Sequence, residues 1–313
     1  FAAILMMMLV MWLGRTRGDA RRNLCQHRQQ QTVAAIMQFE AVGGSYGGYK
    51  NLQAVDADAN RQPTGSVFGL LPYLGYATPP VEEATAADWR DLAKGDFLHP
   101  YQQIYLEYGP DAADEKRGMT PQRLIGELNC PDDQDADTVE AFMRNENNLS
   151  WVVNTGMPDA DSFGELPADW TANGLFENQF DEQAAAGPPI SSRWLARHDG
   201  LENTLMLTEN VDAGLWTDYD EALVGFVWTP ESASDDSHAI QQPLRINELR
   251  GEGDGTVKFA RPSSFHPGGV NAVYASGRTQ FLSEAIDWRV YCHLMTSDGE
   301  NAQFPGTEVP VPQ

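Results

Sequence analysis

This chain is short of positive charge. Its 21 Lys and Arg stand against 45 Asp and Glu, for a net charge of −24. An acidic surface of this size repels a phosphate backbone, which excludes DNA and RNA as partners. Cysteine is nearly absent, and Cys25, Cys130 and Cys292 share no zinc-ligand spacing. Cys25 falls in the N-terminal segment. Cys130 and Cys292 fall in the acidic body and are the expected disulfide pair if that body lies outside the cytoplasm; three buried thiols are the alternative. Also missing is an apolar run of membrane-spanning length. Phe1–Leu13 (FAAILMMMLVMWL) carries no charge and no proline, but as a helix it rises only about 20 Å, against roughly 30 Å of bilayer hydrocarbon. No basic segment precedes the run, so it is not expected to be a cleaved secretory signal.

A catalytic constellation is missing too. Gly43–Gly47 (GGSYG) fits G-x-S-x-G, but a nucleophile elbow needs a strand before it and a helix after it. Here a helical pattern precedes and a glycine-rich loop follows. The six histidines (His27, His99, His198, His238, His266, His293) include no pair at i, i+4. The reading is therefore not an enzyme. His266, flanked by Pro267 and two glycines, is expected to pin a turn by hydrogen bonds.

What is present begins with the first 42 residues. They hold five arginines (Arg15, Arg17, Arg21, Arg22, Arg28) against Asp19 and Glu40, while the remaining 271 residues hold 16 basic and 43 acidic groups. An apolar tip thus runs into a basic, glutamine-rich stretch, ahead of an acidic body. The division expected is 1–42, a helical stem, and 43–313, an acidic globular head. Asp19–Val42 reads as helix, with Leu24, Cys25, Val33, Ile36 and Met37 on one stripe, and Gly43-Gly44 ends it. Val67–Tyr76 is a short buried helix or a strand, broken at Pro72. Thr85–Leu98 reads as helix, Asp111–Lys116 and Asp132–Asp137 as acidic loops, and Pro158–Pro189 mostly as loop. Trp151–Asn154, Leu205–Thr208 and Gly225–Trp228 read as strands. Val270–Leu282 is the clearest hairpin: Val270, Ala272 and Tyr274 alternate, Ser276-Gly277 turns, and Thr279 and Phe281 return. Glu284–Met295 reads as a short helix or a closing segment. The fold class is α+β, a long helical stem on an antiparallel head with extended loops.

Arg261–Asp287 (RPSSFHPGGVNAVYASGRTQFLSEAID) closely resembles the ending of a bacterial family of type IV pilin-like proteins, which joins a prepilin-type stem to a long C-terminal domain of unknown function. Five further blocks agree in order: Ala20–Gln31 (ARRNLCQHRQQQ), Gly69–Gly75 (GLLPYLG), Leu128–Asp133 (LNCPDD), Trp151–Asp159 (WVVNTGMPD) and Asp199–Val211 (DGLENTLMLTENV). His27 replaces the usual Asn in the first of these, and Gln29-Gln30 the usual Lys-Gln. The resemblance implies a structural subunit of a pilus-like or pseudopilus-like filament, a homo-oligomer that passes through the membrane and polymerises by its stem. It implies a cell-surface or extracellular location, reached through the inner membrane and periplasm. It departs at position five, where pilin-like chains carry Glu and this one has Leu5. Either the numbering starts inside the apolar helix, or the subunit assembles without that carboxylate.

The expected assembly interface is Phe1, Ile4, Leu5, Met8, Leu9, Trp12, Arg15, Arg21 and Arg22, with the arginines near acidic surface of adjacent heads. The expected structural hairpin centres on His266, Gly268, Gly269 and Asn271. Asp133, Asp135 and Asp137 alternate, as do Asp56, Asp58 and Asn60. Hard cations favour such oxygen clusters, so calcium is the candidate cofactor, though neither set has the glycine and distal Glu of an EF-hand loop. Asn148-Leu149-Ser150 is a candidate glycosylation sequon. A membrane-anchored surface protein that does not polymerise, capturing a glycan or protein ligand with the same head, is the alternative reading.

Overall fold

Residues 2–55, 61–75, 125–133, 148–159, 169–180, 189–229, 245–251, 253 and 255–302 are described in the computed structural model. The expected helix over Thr85–Leu98 and the loop Asp111–Lys116 lie outside the described residues. The first element, α1 (Ala2–Gly43), is one unbroken helix of 42 residues, about 60 Å long. No proline interrupts it. It stops where Gly44 takes a φ of +81° and donates its N–H to the Glu40 carbonyl at 2.7 Å, a left-handed end that glycine adopts without strain.

The buried face of α1 runs Cys25, Gln29, Thr32, Val33, Ile36 and Phe39, a spacing of three and four that places them on one side. This differs from the apolar stripe read from sequence. Leu24 is 41% exposed, whereas Gln29 is fully buried. Leu24 lies one residue before Cys25, about 100° around the helix, and so points away from the head. Gln29 and Thr32 are tolerated inside because both find partners. Gln29 Nε2 donates to the Asn271 carbonyl at 3.3 Å, and Thr32 Oγ1 accepts the Trp151 indole N–H at 3.2 Å.

Strands β1 (Lys50–Val55) and β2 (Arg61–Gly65) form an antiparallel pair with a bulge at Leu52–Ala54. The helix α2 (Ser66–Leu70) follows and is wholly buried, resolving the segment before Pro72 as helix. The main sheet has five strands: β3 (Trp151–Gly156), β4 (Leu205–Glu209), β5 (Gly225–Val227), β6 (Gly269–Tyr274) and β7 (Thr279–Ser283), in spatial order β5-β3-β4-β6-β7. Three pairs are antiparallel, and β5 runs parallel to β3. A three-residue strand has too short a pattern to reveal its direction from sequence. Short helices α3 (Ser192–Leu195) and α4 (Glu221–Val224) precede β4 and β5, and α5 (Trp288–Met295) closes the described chain. The Asp287 side chain caps α5 by accepting the Arg289 N–H at 2.9 Å.

The two faces of the sheet carry different helices. Trp151 of β3 bonds to Thr32 of α1, while Asn154, three residues on and therefore on the opposite face, donates to the Met295 carbonyl of α5 at 2.7 Å. With both faces covered, β3, β4, β5 and β6 are buried along their whole length. Val270, Ala272 and Tyr274 therefore do not alternate with exposed neighbours as the hairpin pattern suggested. Only β7, at the edge, presents a mixed face. The α+β class read from sequence holds, with a mixed sheet in place of an all-antiparallel one. One hydrophobic core joins α1 from Cys25 to Phe39 with α2 and the five-stranded sheet.

The disulfide joins Cys25 to Cys130, with Cα atoms 5.0 Å apart, and Cys292 is buried and takes no part in it. This corrects the Cys130–Cys292 pairing. The sequence reading placed Cys25 on a stem outside the head, but α1 enters the head's core at that residue. Cys292 sits on α5, against the opposite sheet face, with its sulfur 3.8 Å from the Thr229 carbonyl.

Candidate functional site

The densest polar cluster lies where α1 meets the head. Three pieces of chain converge there: the turn Cys130–Asp133, the end of β4 at Glu209, and the turn Ser264–Gly268 leading into β6. Glu209 is buried, yet its carboxylate is fully engaged. Oε2 accepts the Asn271 backbone N–H at 2.7 Å, and Oε1 accepts Asn271 Nδ2 and His266 Nε2, each at 3.0 Å. The other ring nitrogen, His266 Nδ1, is 3.2 Å from Asp132 Oδ2. Two carboxylates this close on either side of the ring favour its protonated form. Burial alone would lower the His266 pKa. The hydrogen bond and charge of Glu209, with the charge of Asp132, outweigh burial and the nearby Arg22, and hold it above the usual histidine value.

Asp132 Oδ1 accepts Arg21 Nη1 at 3.1 Å. Charges therefore alternate from the helix surface inward: Arg21, Asp132, His266, Glu209. Asn271 extends the cluster into α1. Its Oδ1 accepts Gln26 Nε2 at 3.0 Å and its carbonyl accepts Gln29. Arg28 donates to the Asn129 carbonyl at 2.8 Å, Gln30 to Thr279 at 2.9 Å, and Arg22 stacks 3.8 Å from the Phe281 ring centroid. At the helix's far end, Glu40 accepts the Ser192 N–H at 2.6 Å. The Cys25–Cys130 bond crosses the middle of this zone, with the Cys130 sulfur 3.6 Å from His266 Nε2.

Gly268 takes a φ of +85°, and a Cβ on Gly269 would sit 1.9 Å from the Leu282 carbonyl oxygen, a close approach only glycine permits. His266 Nε2 is hydrogen-bonded to Glu209, Nδ1 faces Asp132, and the residue's own backbone N–H donates to Ser264 Oγ at 3.1 Å. Arg21 and Arg22, expected to face neighbouring subunits, are instead turned to their own head. Phe1 lies outside the described residues. Ile4, Leu5, Met8, Leu9, Trp12 and Arg15 lie on α1, with their side chains outside the described residues. Asp133 is buried and accepts the Ser150 hydroxyl at 2.9 Å, so one oxygen of that candidate calcium set is engaged internally. Asp135, Asp137, Asp56, Asp58 and Asn60 lie outside the described residues. Asn148 is half-buried with its carbonyl bonded to Asn129 Nδ2, and Ser150 of the same sequon is buried.

One ligand atom from each of Cys25, Cys130, Glu209 and His266 lies within 4.8 Å of the others. The two sulfurs are bonded to each other and offer no thiolate, so the group is no metal site in this state. No nucleophile here has a base and an oxyanion cradle beside it. What the arrangement does is mechanical: it fastens a helix to a sheet by a covalent bond, alternating charges and amide hydrogen bonds. Sequence reasoning missed Glu209, Gln26 and Gln29. Glu209 was visible as the single charge ending the apolar strand LMLTE, a position that demands a partner if buried.

Among the described residues, no helix is long and apolar enough to cross a membrane. In comparisons with known proteins, a family described as a protein of unknown function (DUF1559) matches residues 15–289. No curated protein and no solved structure gives a significant match.

Proposed function

Because this chain belongs to the DUF1559 family, whose description assigns no function, we propose from its geometry that it is a structural subunit of a pilus-like or pseudopilus-like surface filament. It inserts in the inner membrane before assembly and polymerises through the first half of α1. The observation that carries this reading is the asymmetry of that one helix. From Arg21 onward it is fastened into the head by the disulfide and the Glu209–His266–Asp132–Arg21 cluster, while Phe1–Leu13 is uncharged and apolar. Met6, in that run, is 70% exposed in the single chain. An apolar segment held out from a water-soluble head is stable only when it is covered. Equivalent segments of other copies would cover it at roughly 25 cal/mol per Å² removed from water. A head clamped rigidly to its stem suits a filament, because load on the stem passes to the head without unzipping the helix.

Negative-stain microscopy of the purified full chain tests this. Filaments that fall apart in detergent are expected. Uniform single particles before and after detergent would overturn the reading in favour of a subunit that does not polymerise.

A further inference from the structure

The two sulfurs at the centre of the clamp are bonded to each other. As thiols they complete a different set. One ligand atom from each of Cys25, Cys130, Glu209 and His266 already lies within 4.8 Å of the others, and all four residues are buried. They come from four separate pieces of chain: α1, the turn Cys130–Asp133, the end of β4 and the turn Ser264–Gly268. The cysteines therefore show no zinc spacing in the sequence. The distances suit the ion. Zinc takes sulfur at about 2.3 Å and nitrogen or oxygen at about 2.0–2.2 Å in a tetrahedron, which sets neighbouring ligand atoms about 3.3–3.8 Å apart. Cys130 Sγ stands 3.6 Å from His266 Nε2, on that spacing. Glu209 Oε1 stands 3.0 Å from the same nitrogen, slightly inside it, because a proton and not a metal bridges them now. The sulfurs are closer still while bonded, and move apart to non-bonded contact once reduced.

The groups around these four are the ones a metal site uses. His266 turns Nε2 inward to the set and Nδ1 outward to Asp132 Oδ2, 3.2 Å away. Histidine ligands almost always give their second ring N–H to such a partner, which fixes the tautomer and aims the first nitrogen. Glu209 is steadied in the same way. The Asn271 N–H holds Oε2 at 2.7 Å, and Asn271 Nδ2 holds Oε1 at 3.0 Å. Oε1 gives its other lone pair to the proton on His266 Nε2, and a cation of greater charge can take that proton's place. Two thiolates and one carboxylate set three negative charges against the two positive charges of zinc. Arg21, bonded to Asp132, and Arg22, near the ring, offset the remainder.

We propose that the dithiol form of this chain binds one zinc ion through Cys25 Sγ, Cys130 Sγ, His266 Nε2 and Glu209 Oε1, with Asp132 positioning the histidine. Zinc displaces the two thiol protons and the proton on Nε2. The disulfide and the zinc ion are alternative fasteners of α1. When an external disulfide oxidises the site, the two thiolates pass two electrons to it and it leaves as two thiolates. The Cys25–Cys130 bond forms and zinc is released. The helix is then held to the head before that oxidation as well as after it. The inference concerns the head alone and does not rest on how copies assemble.

The test uses the full chain in detergent, reduced with a phosphine and freed of reductant and metal without air. Cobalt(II) is the spectroscopic probe, followed by zinc. Expected are one cobalt per chain, a sulfur-to-cobalt charge-transfer band and the visible bands of a tetrahedral site, all erased by stoichiometric zinc. Zinc also raises the Tm of the reduced chain. The oxidised chain shows none of these signals. Cys130→Ala and His266→Gln lose the tetrahedral spectrum. Asp132→Asn keeps its shape but weakens binding by about 10–100-fold, the usual cost of losing an outer partner. Cys292→Ser, on the opposite face of the sheet, leaves spectrum and affinity unchanged. Two results overturn the proposal. One is a reduced wild-type chain that gives no tetrahedral cobalt spectrum and whose Tm and circular dichroism zinc does not move, whether or not the chain was folded beforehand. The other is a cobalt spectrum that is undiminished in both Cys130→Ala and His266→Gln, or that vanishes in Cys292→Ser, which places the metal elsewhere.

Discussion

Single residues decide how firmly α1 belongs to the head. The Cys25–Cys130 bond closes a separation of 105 residues, and disulfides across loops of that size typically contribute 2–4 kcal/mol, largely by restricting the unfolded chain. Cys130→Ala is expected to lower unfolding free energy by about 2–4 kcal/mol, measured by urea denaturation. Reduction should destabilise the wild type and leave Cys130→Ala unchanged. Thiol titration in denaturant is expected to count one reactive group, Cys292, before reduction and three after it. One group that vanishes in Cys25→Ser would instead mean that Cys292 is bonded. His266 makes a second prediction at this scale. Its folded pKa is raised above that of the unfolded chain, so the folded state holds the proton more tightly. The stability this supplies is complete below about pH 6.5. It is lost as pH rises through the folded value, when the neutral ring no longer sets a positive charge against Glu209 and Asp132. Asp169 and Glu177, whose carboxyls burial pushes up to about 8, give a decline of the same sign in metal-free buffer. The His266 share is therefore the difference between wild type and His266→Gln across pH 6–9. Parallel profiles for the two proteins would show that His266 is not the titrating group.

At the scale of elements, the β6–β7 hairpin depends on one steric condition. Gly269 pairs with Ser283 and leaves no room for a Cβ beneath the Leu282 carbonyl. The obstacle is backbone and cannot rotate away. Gly269→Ala is expected to cost about 1–3 kcal/mol, the range for overpacking, and to loosen the turn that presents His266 and Asn271 to α1. Amide exchange should then quicken in β6, β7 and the buried turn of α1 near Gln26; unchanged protection would place the register's strength elsewhere. The hairpin, β3, β4 and the helix after Asp19 were legible in the sequence because their signals are local: an apolar run, an alternation, a glycine stop. Two features were not legible. The inward face of α1 includes Gln29 and Thr32, whose burial depends on partners in Asn271 and Trp151 that the helix's own pattern cannot announce. The pairing of Cys25 follows from where that face enters the core.

At the scale of the whole molecule, four of the six sequence blocks that carry the family resemblance meet in one place. The ARRNLCQHRQQQ helix face, the LNCPDD turn, Glu209 from the DGLENTLMLTENV block and the His-Pro-Gly-Gly-x-Asn turn are joined by Cys25–Cys130, Arg21–Asp132, His266–Glu209 and Gln26–Asn271. Such blocks, far apart in the chain, make sense as parts of one clamp. The clamp fastens one half of α1 into the head's core, and the other half is the one proposed to meet other copies. Substitutions in the two halves should therefore have separable effects. Leu9→Asp places a charge in the apolar run, more than two helical turns from any residue of the clamp. If that run is buried between copies, the substitution removes about 1.5–3 kcal/mol of apolar burial per subunit and adds the cost of burying an unpaired carboxylate. Repeated at every subunit along a polymer, this is enough to abolish assembly. The head should melt as before, since surface changes outside its core stay within about 0.5 kcal/mol. The expected outcome is loss of filaments by negative stain with an unchanged denaturation curve. Filaments that persist in Leu9→Asp would mean that copies meet through their heads, and the apolar run would then need another cover.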